Sequence, residues 1–292
     1  MGLFDRFKKK APNAAPQNSE AKPPEAGLPQ WPQPPQEDTM ALLLMDRLLP
    51  GVTPAVEALR GAFGPGAVSD IDESHPRVPA FIATVDGLEF WVSYLPMPVP
   101  ADTLDVATAA KYSFLLSDEE KSAFAGNKSF WMLAQKGAGK TLAEKRRACW
   151  AFSLLCAALL GLEGAVGVHP INQGGLLVSK RHYLQQRELM EGKGWDNTEG
   201  FFPVPLWVWI YGTAQEGKDT IQTTGLKDFG LPELGFFAPQ KPVGELLDLL
   251  YSMSCLQITG KQLYRNMALV PLDEETEAVC KQEGDTLFFI GA

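Results

Sequence analysis

The segment at residues 80–95 reads AFIATVDGLEFWVSYL and contains the clearest local folding signal in the chain. Its two parts, Ala80–Val85 and Leu88–Leu95, are rich in the β-branched and aromatic residues that favour strands. Asp86 and Gly87 lie between them, and an Asp-Gly pair is the strongest short signal for a two-residue hairpin turn. The segment is therefore predicted to be a β-hairpin.

The elements on either side of this hairpin give the first half a β-α-β-β-α-β order. Upstream, Met40–Leu44 is an apolar run expected to be a strand, and Pro54–Phe63 has apolar residues at helical spacing. Downstream, Asp102–Phe114 is predicted to be a helix and Ser129–Ala134 a strand. This order is that of the split-βαβ arrangement, so a ferredoxin-like first half is expected.

The second half is predicted to be mixed, with antiparallel hairpins around a long buried helix. Thr141–Leu162 is expected to be that helix, because it is amphipathic at its start and wholly apolar toward its end. Leu206–Tyr211 and Thr220–Thr224 are predicted to form a second hairpin, Gly244–Leu256 a helix and Thr286–Ile290 the last strand. The fold class indicated is α+β, an α/β sandwich.

The first 38 residues differ in composition from the rest of the chain. Residues 11–38 contain eight prolines among mostly small and polar residues, a composition that buries too little apolar surface to fold. Residues 1–38 are therefore expected to be a disordered, proline-rich tail. Residues 39–292 are predicted to be globular, as one domain or as two subdomains of residues 39–136 and 137–292.

Two segments of this tail have some capacity to bind. Met1–Lys10 combines Phe4 and Phe7 with basic residues, but one helical turn buries too little for stable membrane anchoring. Trp31–Pro35 reads WPQPP and can dock on an aromatic groove as a polyproline segment. A plain linker is the simpler interpretation of Trp31–Pro35.

Charge and hydropathy exclude several classes of function. Acidic residues number 35 and basic residues 26, and this net charge of −9 argues against nucleic acid as a partner. The longest apolar stretch, Ala148–Leu162, is shorter than the ~20 residues of a membrane-spanning helix. No apolar segment follows the basic N-terminal residues, so no secretion signal is predicted and a cytoplasmic location is expected.

The cysteines and histidines have no metal-ligand spacing, so no cofactor is expected. The chain has four cysteines and three histidines. Cys149 and Cys156 lie seven residues apart inside the apolar helical run and are interpreted as small core residues.

The most prominent motif is a loose phosphate-loop pattern, AQKGAGKT, at Ala134–Thr141. In a nucleotide site the backbone at Gly137 and Gly139 would cradle phosphates, Lys140 would contact the β- and γ-phosphates and Thr141 would bind Mg²⁺. The first position is alanine where the motif has glycine, and no aspartate follows a later strand to hold the metal.

A structural interpretation of the same loop is simpler. Thr141 followed by Glu144 three residues later is a capping box, which satisfies backbone N–H groups at the start of a helix. The two glycines then form a tight turn before the helix.

A small-ligand site is a further alternative. His169, Asn172 and Gln173 follow a predicted strand and, if they converge in space with Thr223 and Thr224, can line a pocket. A hydrogen-bonded turn at His169 is the simpler interpretation.

The segments Thr223–Leu226 and Leu231–Leu234 have structural explanations as well. Gly225 indicates a positive φ angle or a close backbone approach. Glu233 is a candidate for a buried acid or a helix-capping partner.

Aromatic residues suggest a surface for binding a protein. Trp207 and Trp209 are two apart on one predicted strand, so their side chains are expected on one face. Such a pair is usually part of a core, but if exposed it would mark an interface.

Several further features occur together from Ser129 onward: the strand SFWMLA, the helix end ALLGLEGAVGV, and the segments PLWVWIYG, TTGLKDFGLPELGF and VGELLDLLY. Together with the upstream segment Leu88–Pro100, they resemble the bacterial family catalogued as domain of unknown function 4261, over Met40–Ala292. The resemblance implies an α/β domain and supplies no catalytic residues. In that family the loop corresponding to Gly139–Thr141 varies, which argues against a nucleotide site.

The preferred hypothesis is a non-catalytic interaction module whose partner is another protein. It rests on the absence of a recognisable catalytic constellation, on the aromatic hairpin and on the tail. Nucleotide binding and small-ligand binding remain the alternatives.

Overall fold

A computed structural model of the chain describes residues 29–35, 39–74, 78–135, 139–171, 174–213, 219–237, 239, 241–272 and 276–291. Within these residues the chain forms six α-helices and thirteen strands arranged in two sheets. The predicted α+β class is confirmed. Of the predicted tail, only residues 29–35 are among the described residues, and Met1–Lys10 lies outside them.

The first sheet has seven strands and is antiparallel throughout. Its strands are β1 (Met40–Met45), β2 (Val68–Asp72), β3 (Ala80–Val85), β4 (Leu88–Leu95), β5 (Ser129–Gln135), β6 (Ala165–Pro170) and β7 (Val178–Ser179). Their order across the sheet is β2-β3-β4-β5-β1-β6-β7. The strand that leads into the body of the chain, β1, therefore lies in the interior of the sheet.

The β3–β4 hairpin forms as the sequence predicts. Asp86 has a φ of 52° and Gly87 a φ of 73°, and two successive positive φ angles are the geometry of the tight hairpin turn that an Asp-Gly pair favours. Val85 lies opposite Leu88 across the turn.

The structure does not have the ferredoxin-like arrangement predicted for the first half. The prediction omitted strand β2. In a split-βαβ unit the first strand runs parallel to the strand after the helix, whereas here β2 intervenes between the first helix and β3. The pairings β1–β5, β5–β4 and β4–β3 are all antiparallel, so β3 runs opposite to β1. Four of the five residues of β2, VSDID, are exposed, so this edge strand has no apolar alternation to identify it.

The second sheet has six strands in the order β11-β12-β13-β10-β9-β8. These are β8 (Trp209–Thr213), β9 (Thr220–Thr224), β10 (Glu233–Phe237), β11 (Leu269–Pro271), β12 (Glu277–Glu283) and β13 (Thr286–Ile290). Only the β10–β13 pairing is parallel. The predicted hairpin is present as β8–β9, but residues 204–206 form a short 3₁₀ helix and the strand starts at Trp209.

Six helices pack against the sheets. They are α1 (Thr53–Phe63), α2 (Val106–Tyr112), α3 (Asp118–Ala125), α4 (Leu142–Leu159), α5 (Lys180–Met190) and α6 (Val243–Ile258). The predicted long buried helix is α4, in which eleven of eighteen residues are buried. The helix predicted over residues 102–114 is α2 and covers only Val106–Tyr112. A second helix, α3, follows it and is capped by Ser117.

Two hydrophobic clusters form the core. The larger contains residues of α1, α4 and α6, and of both sheets. The smaller lies on the opposite side of the first sheet, where Leu42 and Leu44 of β1 pack with Phe124 of α3. Residues from both predicted subdomains contribute to the larger cluster, and the division into subdomains stays a prediction.

Candidate interaction surface

The loop that resembles a phosphate loop is the N-terminal cap of α4. Thr141 Oγ1 accepts a hydrogen bond from the Glu144 N–H at 3.2 Å, and Glu144 Oε2 accepts from the N–H groups of Lys140 at 2.7 Å and Thr141 at 3.0 Å. The predicted capping box is confirmed. Gly137 lies outside the described residues.

This geometry opposes phosphate binding. The backbone N–H groups of Lys140 and Thr141, which a phosphate would need, already bind the Glu144 carboxylate. These hydrogen bonds lower the pKa of Glu144, so its carboxylate is negatively charged at neutral pH. This charge lies at the helix N-terminus, where a phosphate would otherwise bind. The Thr141 hydroxyl serves the cap, which removes it as a simple Mg²⁺ ligand.

His169 lies on strand β6 and is buried, rather than in the predicted turn or in an open site. Its imidazole Nδ1 lies 2.8 Å from the carbonyl oxygen of Leu176, and burial lowers its pKa. His169 is directly opposite Leu42 in the sheet, so its side chain is on the face of the smaller cluster.

Thr223 and Thr224 lie on β9 of the second sheet, whereas His169 lies on β6 of the first. Asn172 and Gln173 lie outside the described residues. The adjacent Gly174 approaches the β8–β9 hairpin so closely that a Cβ atom there would be 3.0 Å from the Trp209 ring and 3.9 Å from Thr224. Gly174 therefore packs on the second sheet, while His169 lies on the smaller-cluster face of the first.

Thr223 belongs to a buried polar network centred on Glu233. The Glu233 carboxylate accepts hydrogen bonds from the Thr223 hydroxyl at 2.8 Å and from the N–H groups of Gly225 at 2.9 Å, Leu226 at 3.3 Å and Lys227 at 3.0 Å. Burial raises the pKa of Glu233, against the opposing effect of these hydrogen bonds. The network fixes a turn in which Gly225 has a φ of 126°, which the sequence anticipated, and its role is structural.

Trp207 and Trp209 do not share an exposed face. Trp207 is buried, and its indole Nε1 donates to the hydroxyl of Ser153 on α4 at 2.9 Å. It follows the 3₁₀ helix, so the two-residue alternation of a strand does not apply between it and Trp209. Trp209 is half-buried and stacks on Tyr211 with 4.9 Å between ring centroids. Trp207 is thus a core residue and is not available to a partner.

A different apolar surface lies on the same sheet. Leu269 on β11 is directly opposite Val279 on β12, and Val279 is directly opposite Ile290 on β13. Their exposed fractions are 66 %, 40 % and 40 %. Three apolar side chains therefore form a row across three neighbouring strands on the outer face of the sheet.

Two aromatic residues extend this row. Phe237 of β10 and Phe288 of β13 are both partly exposed, and their rings meet edge to face at 6.4 Å. Gly235 makes room for one of them, because a Cβ atom there would lie 2.8 Å from Phe288. We call the surface formed by Leu269, Val279, Ile290, Phe237 and Phe288 the open face.

The strand alternation explains why the open face is apolar without being part of the core. The residues that alternate with the open-face residues are buried on the inner side of the sheet. They are Val270, Ala278, Cys280 and Phe289. The inner side packs against α6 among other elements. The outer side of β11–β13 therefore presents these apolar side chains to solvent, beside the charged Glu277, Lys281 and Glu283 of β12. Contiguous exposed apolar side chains are typical of interaction sites.

Two cavities lie among the described residues, and neither is lined by Lys140, His169 or Glu233. One of about 10 Å³ is enclosed by Lys145, Cys149 and Asp228 among other residues, and that volume holds at most about one water molecule. A wider groove of about 500 Å³ lies between the β8–β9 hairpin and α6, lined mainly by apolar residues such as Tyr211 and Leu246.

Cys149 and Cys156 are core residues, as the sequence suggested. Cys149 and Cys156 are buried thiols whose pKa values burial raises to about 12. Over the part of the chain that the structure describes, no group of three or more metal-binding side chains is present. Within that same part, no helix is both long and apolar enough to cross a bilayer.

No protein-family model, no curated protein and no solved structure matches the chain. The resemblance to domain of unknown function 4261 stays a prediction.

Proposed function

We propose that this protein is a non-catalytic interaction module that binds another protein through the open face. The observation that carries the proposal is the row formed by Leu269, Val279 and Ile290, which lie in register and are all exposed. Isolated exposed apolar residues are common, but contiguous ones on a rigid sheet are typical of interfaces. Full burial of one such side chain contributes about 1.5–3 kcal/mol.

The partner expected is a protein with an apolar patch and a basic rim. The chain carries 35 acidic and 26 basic residues, so a basic rim would speed association through long-range attraction. The same negative charge makes a nucleic acid an unsuitable partner, because phosphates would be repelled.

The capping box argues against the nucleotide alternative. A phosphate at Lys140 and Thr141 would have to displace the Glu144 carboxylate, so millimolar Mg-ATP is expected to leave the thermal unfolding temperature unchanged. A stabilisation by Mg-ATP that is lost in Lys140→Ala would favour the nucleotide alternative instead.

The test is affinity capture from native lysate with a variant that makes the open face polar. The variant combines Leu269→Thr, Val279→Thr and Ile290→Thr, because threonine keeps strand propensity while removing apolar surface. The control combines Leu48→Ser and Leu189→Ser, which change residues that are 60 % and 51 % exposed elsewhere on the protein.

The expected result is a stoichiometric protein that the wild type and the control retain and that the open-face variant loses. Circular dichroism and thermal unfolding should show that all three proteins are folded. The proposal is wrong if the open-face variant captures the same proteins as the wild type, or if the wild type captures none.

A further inference from the structure

A second site lies where residues 29–35, PQWPQPP, cross the folded body. We call this segment the strap. The N–H of Gln33 donates to the carbonyl oxygen of Gly230 at 2.8 Å, and Nε2 of Gln282 donates to the carbonyl oxygen of Pro29 at 3.0 Å. Pro35 at the other end is buried. The strap is thus held at the β12 strand and beside the short 3₁₀ helix that precedes Gly230.

The contacts match the chemistry of a proline-rich ligand. Four of the seven strap residues are prolines, which have no N–H group and leave their carbonyl oxygens as acceptors. The body supplies a donor, the Gln282 amide, to one such carbonyl. It also supplies an acceptor, the Gly230 carbonyl, to the N–H of Gln33.

Gly230 is shaped for the close approach of a peptide backbone. It has a φ of 73°, and a Cβ atom at this position would lie only 1.9 Å from the carbonyl oxygen of Gln33. Any other residue here would therefore collide with the strap. A glycine that admits another backbone is a common feature of sites that bind an extended peptide.

The strap is an imperfect occupant of its groove. The Nε1 atom of Trp31 is buried and has no hydrogen-bond acceptor among the described residues. A buried N–H without an acceptor is unfavourable.

We infer that the groove formed at Gly230 and Gln282 is a recognition site for proline-rich peptide segments anchored by a tryptophan. The strap is its tethered occupant, and a second such segment displaces it in trans. This inference is independent of the open face, which involves other residues of the second sheet.

The test measures binding of a fluorescein-labelled peptide with the sequence of residues 28–36, LPQWPQPPQ, by fluorescence anisotropy. The proteins are the full wild-type chain and the full Trp31→Ala chain, whose own strap is weakened. A tethered segment competes at a millimolar effective concentration, so the Trp31→Ala chain should bind the peptide at least about tenfold more tightly than the wild type. The same peptide with alanine in place of its tryptophan is the control and should not bind.

Two groove variants in the Trp31→Ala background complete the test. Gln282→Met removes the donor to the proline carbonyl with little change in size and should weaken peptide binding about fivefold. Gly230→Ala should abolish it, and circular dichroism checks that this variant is folded; if it is not, Gln282→Met decides. No peptide binding by the Trp31→Ala chain at about 1 mM peptide, or equal binding by Gln282→Met, would overturn the inference.

Discussion

The two sheets of this protein differ in how far their outer faces are covered by helices. The central strands of the first sheet are largely apolar on both sides. α2 and α3 cover part of the side away from the larger cluster, where Leu42, Leu44 and Phe130 are buried and Trp91 of β4 stays 50 % exposed. The second sheet has α6 on its inner side, while Leu269, Val279 and Ile290 on its outer side stay exposed.

This difference separates apolar residues that stabilise the fold from apolar residues that are free to bind. A covered face contributes to the free energy of unfolding, because its side chains are removed from water within the chain. An uncovered face contributes little until a partner covers it. Substitutions on the covered face should therefore lower the free energy of unfolding, whereas substitutions on the open face should weaken binding to a partner.

The largest effect is expected on the covered face. Leu44→Ala should reduce the free energy of unfolding by about 3 kcal/mol, because Leu44 is fully buried beneath the helices and its truncation leaves a cavity. Urea denaturation of the variant and the wild type measures this difference. A loss below about 1 kcal/mol would mean that the smaller cluster is loosely packed and that the contrast between the faces is weaker than described.

A somewhat smaller effect is expected in the polar network that shapes the second sheet. Glu233→Ala should reduce the free energy of unfolding by about 2 kcal/mol, because it leaves the Thr223 hydroxyl and three backbone N–H groups without their acceptor. Glu233→Gln keeps one acceptor oxygen and should lose less. Denaturation of both variants tests this order, and equal losses would contradict it.

The stability that α3 contributes by packing on the first sheet should depend on pH. Burial disfavours the charged form of Glu120 on α3, but hydrogen bonds from Arg181, the Ser117 N–H and Ser179 outweigh it and hold the pKa at about 2. A free glutamate has a pKa of about 4.3. Between these values the unfolded chain binds a proton that the folded chain does not, so stability falls as the pH decreases through this window.

Glu120→Gln should flatten this acid-side loss and cost about 1 kcal/mol at neutral pH. The measurement is thermal unfolding of the variant and the wild type from pH 7 down to pH 2.5. Parallel stability curves for the two proteins would show that the ion pair with Arg181 does not hold α3 in place.

The smallest effect on stability is expected on the open face itself. Leu269→Ala should change the free energy of unfolding by less than about 0.5 kcal/mol, because the side chain is 66 % exposed. Urea denaturation alongside Leu44→Ala provides the direct comparison. A large loss at Leu269 would indicate that this face is packed within the chain and is not available to a partner.

The parts of the fold that could be predicted from the sequence are those that local chemistry specifies. The Asp86-Gly87 turn, the Thr141–Glu144 capping box and the buried cysteines each depend on neighbouring residues. β2 could not be recognised because it is a polar edge strand, and its omission reversed the predicted direction of β3.

The candidate surface was missed for a similar reason. Trp207 and Trp209 were assigned to an interface because a strand would place both side chains on one face. The 3₁₀ helix before Trp207 breaks that alternation, and Trp207 is buried. The signal that could have located the open face is the alternation in β12, where Ala278 and Cys280 point inward and Val279 points outward. Whether an outward apolar residue is covered depends on tertiary packing, which a sequence pattern does not contain.

Binding of a partner at the open face can be tested directly by site-specific photocrosslinking in the cells that make the protein. A photoreactive amino acid is placed at Val279 on the open face and, as the control, at Leu48, and crosslinked products are identified by mass spectrometry. We expect one dominant protein to be crosslinked from position 279 and not from position 48. No product at position 279, or the same products from both positions, would contradict the proposal that the open face binds a partner.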